Sequence, residues 1–250
     1  MRSLIVSLCI LVLIIGCEGE QGPAGPTLSG DIEGWVTLYD DLGNRIPDKS
    51  GVTISLYERS VSATSDSNGY WQMHTISAGI YDFFFKKENF FTVKIGNIQF
   101  VGGGTYYLGD IPIQKVPFVY VTELIASNDA FSNYINFQIT TSAPDTVNRR
   151  IHILFSNDTI SETGEMVEYI LSSEPLLHAN SVNIQSAIAI NDWYPELYGL
   201  ESGDPLYMIA YVLPIREGIS IVSNYNSATK RYELYTDNIT LSNVVTVNVP

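Results

Sequence analysis

The chain has 250 residues, 45% of them hydrophobic and 16% charged, with a formal net charge of −14. So apolar a composition excludes a disordered tail, and so negative a surface excludes nucleic-acid binding or direct adhesion to anionic head groups. The two cysteines, Cys9 and Cys17, lie near the N-terminus, so the rest of the chain has no thiol for a disulfide, a nucleophile or a thiolate metal site. In chain order, Met1-Arg2-Ser3 precede an apolar run from Leu4 to Ile15, which is too short to span a bilayer stably and ends at Gly16. A short charged start, an apolar stretch and a small residue at its end form the pattern of a secretory signal.

The residues Leu13-Ile14-Ile15-Gly16-Cys17 resemble the lipobox of bacterial lipoproteins. That resemblance implies that residues 1–16 are removed, that Cys17 is lipidated on sulfur, and that its new amino group is acylated. The membrane is then a partner through the lipid, each buried methylene contributing about 0.8 kcal/mol. The location implied is the bacterial cell envelope, as an outer-membrane lipoprotein on either its surface or its periplasmic face. Residues 17–29 form a linker in which Gly19, Gly22 and Gly25 recur every third position with Pro23 and Pro26 between them. The triplets are too few for a triple helix, so the stretch reads as an extended spacer. It is similar to the runs that follow the lipid cysteine in lipoproteins of the Bacteroidota.

Over residues 30–115 the hydrophobic period is two. Ile32, Val36 and Leu38 alternate with Glu33, Thr37 and Tyr39, and Asp40-Asp41-Leu42-Gly43-Asn44 reads as a turn. Val52, Ile54 and Leu56 form a second strand. Ser65-Asp66-Ser67-Asn68-Gly69 predicts a hairpin, Asn-Gly being suited to positive φ. Trp71 and Met73 follow, then Tyr81, Phe83 and Phe85, then Val93 and Ile95, and a last strand from Thr105 to Ile113. No window has a helical period, so this is a small all-β sandwich. Gly34-Trp35-Val36, Gly51-Val52-Thr53-Ile54-Ser55-Leu56, the Thr64–Trp71 turn and Gly79-Ile80-Tyr81 together resemble the carboxypeptidase regulatory-like domain, a transthyretin-like sandwich. Asn89 stands where that family usually has glycine, and asparagine tolerates the left-handed conformation. The resemblance implies a non-catalytic module.

Residues 116–250 carry further alternating runs at 134–140, 150–155, 167–171, 182–190, 206–213 and 244–249, which predict a second, immunoglobulin- or fibronectin type III-like sandwich. The segment from Leu200 to Ala210 resembles the one that carries the tyrosine corner, which implies a structural role for Tyr207. The stretch from Arg216 to Ser242 predicts an extended Tyr-rich ribbon.

The sequence contains no nucleophile elbow, phosphate-binding glycine loop or His-Glu-x-x-His. His74, His152 and His178 are scattered, and no cofactor or metal is expected. Asp66 and Asn68, like Asp40, Asp41 and Asn44, fit turns better than a calcium loop, which needs six to eight oxygens. Aromatic side chains are the better lead. Phe84 has the opposite phase to Phe83 and Phe85 and marks a contact surface, while Trp193, Tyr194 and Tyr198 fall in a loop and Tyr225, Tyr232 and Tyr235 in the ribbon. Rings in such places stack on sugars or anchor an interface. The expectation is a non-catalytic, lipid-anchored binding or structural module of the envelope, with a glycan or another envelope protein as partner. The alternatives are an accessory subunit of an outer-membrane transport or adhesion complex, docked through Phe84 or the ribbon, and a hydrolase using an acidic pair.

Overall fold

The computed structural model describes residues 28–128, 134–144, 147–160, 166–169, 171–173, 176–177, 182–189, 200–214, 224–226, 231–236 and 238–249. Among them every regular element is a strand. Cys17, the linker up to residue 27, Trp193, Tyr194, Tyr198 and His178 lie outside the described residues.

Two sheets arise from residues 29–114. One has the order β4-β1-β7, with β1 (Ser29–Tyr39) between β4 (Tyr70–Ser77) and β7 (Thr105–Gln114); the other has the order β3-β2-β5-β6, from Ser62–Thr64, Thr53–Leu56, Gly79–Lys86 and Val93–Phe100. The period-two apolar positions meet between them, with Ile32, Val36, Leu38, Ile54, Trp71, Phe83, Phe85 and Ile113 in one core. Gly34 belongs to the inward phase because the Trp71 indole lies against it, where a Cβ would stand 2.9 Å from the ring. Asn89 does adopt the left-handed conformation, φ 63°.

The Asp66–Gly69 turn forms with the expected chemistry. Gly69 has φ 94°, its N–H donates to the Asp66 carbonyl, and the Asp66 carboxylate accepts from the N–H groups of Asn68 and Tyr70. It is nevertheless not a hairpin. The strand before it pairs with β2 and the strand after it pairs with β1, so the turn carries the chain from one layer to the other. Asn-Gly chemistry determines the reversal; the pairing follows from which apolar face each strand must bury.

The remaining residues build a sheet of β10 (Arg149–Ser156), β12 (Leu171–Ser173), β13 (Leu176–Leu177), β15 (Pro205–Val212) and β18 (Val245–Asn248), and a sheet of β8 (Val121–Asn128), β9 (Tyr134–Thr141) and β14 (Asn183–Ala189). Between them Leu124, Ile135, Phe137, Ile139, Ile151, Ile153, Phe155 and Met208 form a second core. A third layer departs from a simple sandwich. The ribbon β16 (Asn224–Asn226) and β17 (Arg231–Tyr235) is joined by β11 (Met166–Tyr169), and Tyr169 and Leu234 cover Leu154, Ile209 and Tyr211 on the far side of β10 and β15. Strands covered on both faces lose their exposed phase, which is why β10 and β15 are buried along almost their whole length. The tyrosine-corner bond of Tyr207 is not among the hydrogen bonds of the described residues; Tyr211, on the same strand, is buried with its hydroxyl 2.7 Å from His152 Nδ1.

Candidate functional site

The outer face of β4-β1-β7 carries the polar phase of three strands. Along the central strand the outward positions are Asp31, Glu33, Trp35 and Thr37. In register, Trp35 stands between Tyr70 on β4 and Asp110 on β7, and Glu33 between Gln72 and Tyr107. Trp35 is 39% exposed although it lies at the centre of a sheet, and its ring meets Tyr70 with centroids 5.3 Å apart and planes tilted by 58°. Tyr107 is 56% exposed.

The acids around these rings are held in place. Glu33 Oε2 accepts from the Tyr70 hydroxyl at 2.7 Å, which pushes that hydroxyl's pKa up. The Thr37 hydroxyl lies 3.0 and 2.9 Å from the two Asp110 carboxylate oxygens. Asp31 Oδ2 is 2.9 Å from His74 Nδ1 and accepts from Gln72 Nε2 at 3.3 Å, while Oδ1 accepts the Thr75 N–H at 3.1 Å. The His74 bond, followed by the Thr75 bond, holds the Asp31 carboxyl below the usual carboxylate range. A glycosidase acid requires the opposite shift, a carboxyl kept protonated by burial.

Two irregularities aim these groups. Between the pairs Gly30–Ile76 and Ile32–Met73 the β4 side carries one extra residue, and β7 carries one between Glu33–Tyr107 and Trp35–Asp110. Each is a β-bulge, a device that bends a strand and redirects its side chains. At the first, Thr75 adopts φ 58°, a strained conformation for a β-branched residue, and its N–H is held by Asp31.

The other predicted aromatics have different surroundings. Phe84 does face away from the first core, but it is only 7% exposed and does not present a free surface. Its ring is covered by Tyr57 at 5.7 Å and by Tyr235 at 5.0 Å, with Lys94 Nζ 5.9 Å from both the Phe84 and Tyr235 centroids. Lys94 bridges Asp82 at 3.3 Å and Glu233 at 3.2 Å, and Glu233 also accepts from the Tyr235 hydroxyl at 3.1 Å. The contact surface marked by Phe84 and Tyr235 is therefore internal, joining the first sandwich to the ribbon, and it is closed to a docked partner. Tyr225 and Tyr232 are register partners across β16 and β17. The Asp and Asn side chains of the turns are taken up by backbone: Asp40 accepts from the N–H groups of Leu42 and Asn44.

Sequence reasoning passed over Trp35, Tyr70, Tyr107, His74 and their carboxylates as a site. One signal was available: with Ile32, Val36 and Leu38 inward, a tryptophan at position 35 falls in the solvent phase, where a large ring needs a reason.

No protein-family model matches the chain, and no curated protein does. Among solved structures, a proposed carbohydrate-binding protein from Bacteroides uniformis is 14% identical over 90% of this chain and 100% of its own, with TM-score 0.31. A DUF3823 family protein from Parabacteroides merdae is 13% identical over 89% of this chain and 100% of its own, TM-score 0.31. A type II cohesin–X-dockerin complex from Acetivibrio cellulolyticus is 21% identical over 35% of this chain, which spans 58% of the length of that one, TM-score 0.30. These likenesses go no further than an all-β fold.

Proposed function

We propose that this chain is a non-catalytic glycan-binding module of the bacterial outer membrane, held there by lipid on Cys17, and that the sugar lies on the outer face of β4-β1-β7. The observation that carries the reading is the exposed Trp35–Tyr70 pair, set at the centre of a rigid sheet among carboxylates whose own hydrogen bonds fix them as oriented acceptors. A sugar presents an apolar ring face to an aromatic plane and hydroxyl donors around its rim, and this face offers both complements. Recognition groups on a scaffold of paired strands bind without first being ordered. The envelope location rests on the lipobox and the Gly/Pro spacer, since a net charge of −14 gives the surface no affinity of its own for anionic lipid.

Affinity electrophoresis of the signal-free chain in gels containing soluble polysaccharides tests the binding reading. Retardation by at least one polymer is expected, with Trp35→Ala weakening it by about tenfold, ~1.4 kcal/mol, at an unchanged melting temperature. Identical migration in every gel would end the proposal. Metabolic labelling with an alkynyl palmitate tests the anchor: wild type takes up label and Cys17→Ala does not.

A further inference from the structure

We infer that the glycan recognised on this face is uncharged and is bound as an extended segment running along β1, an inference that rests on the glycan-binding reading above. The charge argument comes first. Strands β1, β4 and β7 contain no Lys or Arg, while their outward positions carry Asp31, Glu33 and Asp110, with the His74 imidazole already engaged by Asp31. A uronate or sulfate ester laid across Trp35 would meet three carboxylates and no Lys or Arg of these strands, a like-charge juxtaposition that works as rejection.

The same carboxylates suit hydroxyl donors better than a basic partner. Each is bonded into the sheet by Thr75 and His74, by Tyr70 or by Thr37. Glu33 Oε1 has no partner among the described residues, and the lone pairs left over on the others have fixed directions. Oriented acceptors beside a ring plane discriminate by geometry, whereas an exposed charge offers a cation little once salt screens it.

The extended shape follows from the row. Asp31, Glu33 and Trp35 succeed one another at about 6.7 Å along one strand, about 13 Å from first to last, and beyond them Thr37 is buried beside Asp110. The flanking residues repeat the row on both sides, with His74, Gln72 and Tyr70 on one strand and Tyr107 and Asp110 on the other. A row of this length on a sheet face contacts several sugars at once. A single sugar would reach only the Trp35–Tyr70 centre and one or two of the acids.

The experiment compares retention of the signal-free chain by uncharged polymers (xylan, galactomannan, mixed-linkage β-glucan), by the anionic polymer polygalacturonate and by oligolysine, each with Trp35→Ala as control. Expected is Trp35-dependent retention by an uncharged polymer, unchanged up to about 0.5 M NaCl. Its hexasaccharide should compete at a concentration about tenfold or more below its disaccharide. Trp35-dependent retention by polygalacturonate would overturn the charge inference while leaving glycan binding intact. Equal competition by the disaccharide would overturn the extended-segment inference alone. Retention by oligolysine only, abolished by salt, or by nothing at all, would overturn the inference together with the reading beneath it.

Discussion

Tyr235 meets Phe84 edge-on, ring centroids 5.0 Å apart and planes at 87°, across 151 residues of sequence. The pair ties the outer face of the sheet containing β5 to the ribbon that covers β10 and β15. Phe91 from the first sandwich joins the same apolar cluster as Leu154, Ile209 and Leu234, and Asn238 Nδ2 donates to the carbonyls of Lys87 and Phe90. Phe84→Ala is expected to lower unfolding stability by about 3 kcal/mol, the cost of a buried ring and its cavity. Urea titration should show a lower midpoint, and a lower slope if the two sandwiches come to unfold separately.

The same junction makes the protein sensitive to alkali. Burial, followed by the neighbouring Glu233 charge, pushes the Tyr235 hydroxyl up to about 12. Burial pulls the Lys94 ammonium down, but the hydrogen bond to Glu233 and the Tyr235 and Glu233 charges outweigh it, and its pKa stands above the ordinary value. Both groups bind their proton more tightly folded than unfolded. The contribution of Tyr235 is therefore complete below pH 10 and is lost as the pH rises through about 12, while that of Lys94 persists to more alkaline pH. Melting temperatures should fall over that interval, and the fall should be shallower in Tyr235→Phe.

A second tie is ionic. The fully buried Arg149 guanidinium donates to the Asp41 carbonyl at 2.8 Å and to its carboxylate at 2.9 Å, and its centre lies 6.0 Å from the Phe118 ring centroid. Asp41→Ala takes a charged partner away from a buried cation and should destabilise by about 3 kcal/mol. Arg149→Met, which removes the charge with the pair, should cost clearly less. Equal midpoint shifts for the two variants in urea would refute this account.

Thr75 offers a trade between stability and binding. Thr75→Gly relieves the positive φ and should raise stability by about 1 kcal/mol in a thermal melt. It also frees the bulge that sets His74 against Asp31, so retention on the glycan gel should weaken. A variant more stable and equally retained would show the strain to be unrelated to the site.

Much of this architecture can be read from period and turn chemistry. Asn89 in the left-handed region, Gly69 in its turn and the inward Trp71, Phe83 and Phe85 all follow from local rules. The strand Val121–Asn128 carries no alternating signature because a bulge after Val121 puts its buried residues three apart, at Val121 and Leu124. Phe84 shows a different failure. Its outward phase was legible, but the ring that covers it comes from Tyr235, and no local pattern announces that partner. The outer face of β4-β1-β7 fails in the same way, since His74 and Asp110 reach the central strand only through pairings that the sequence does not spell out.

The β1–β7 pairing is parallel, and it joins Thr37 to Asp110 over 73 positions. A chain emerging N-terminus first from the ribosome would hold Trp35 for some time with no neighbour on that flank. Assembly of the β4-β1-β7 sheet must therefore wait until nearly half of the polypeptide has been made. Long-distance closures of this kind are slow, and they leave an apolar strand edge open to misassociation in the meantime. Synthesis and folding of this chain are thus coupled in time by the placement of one central strand.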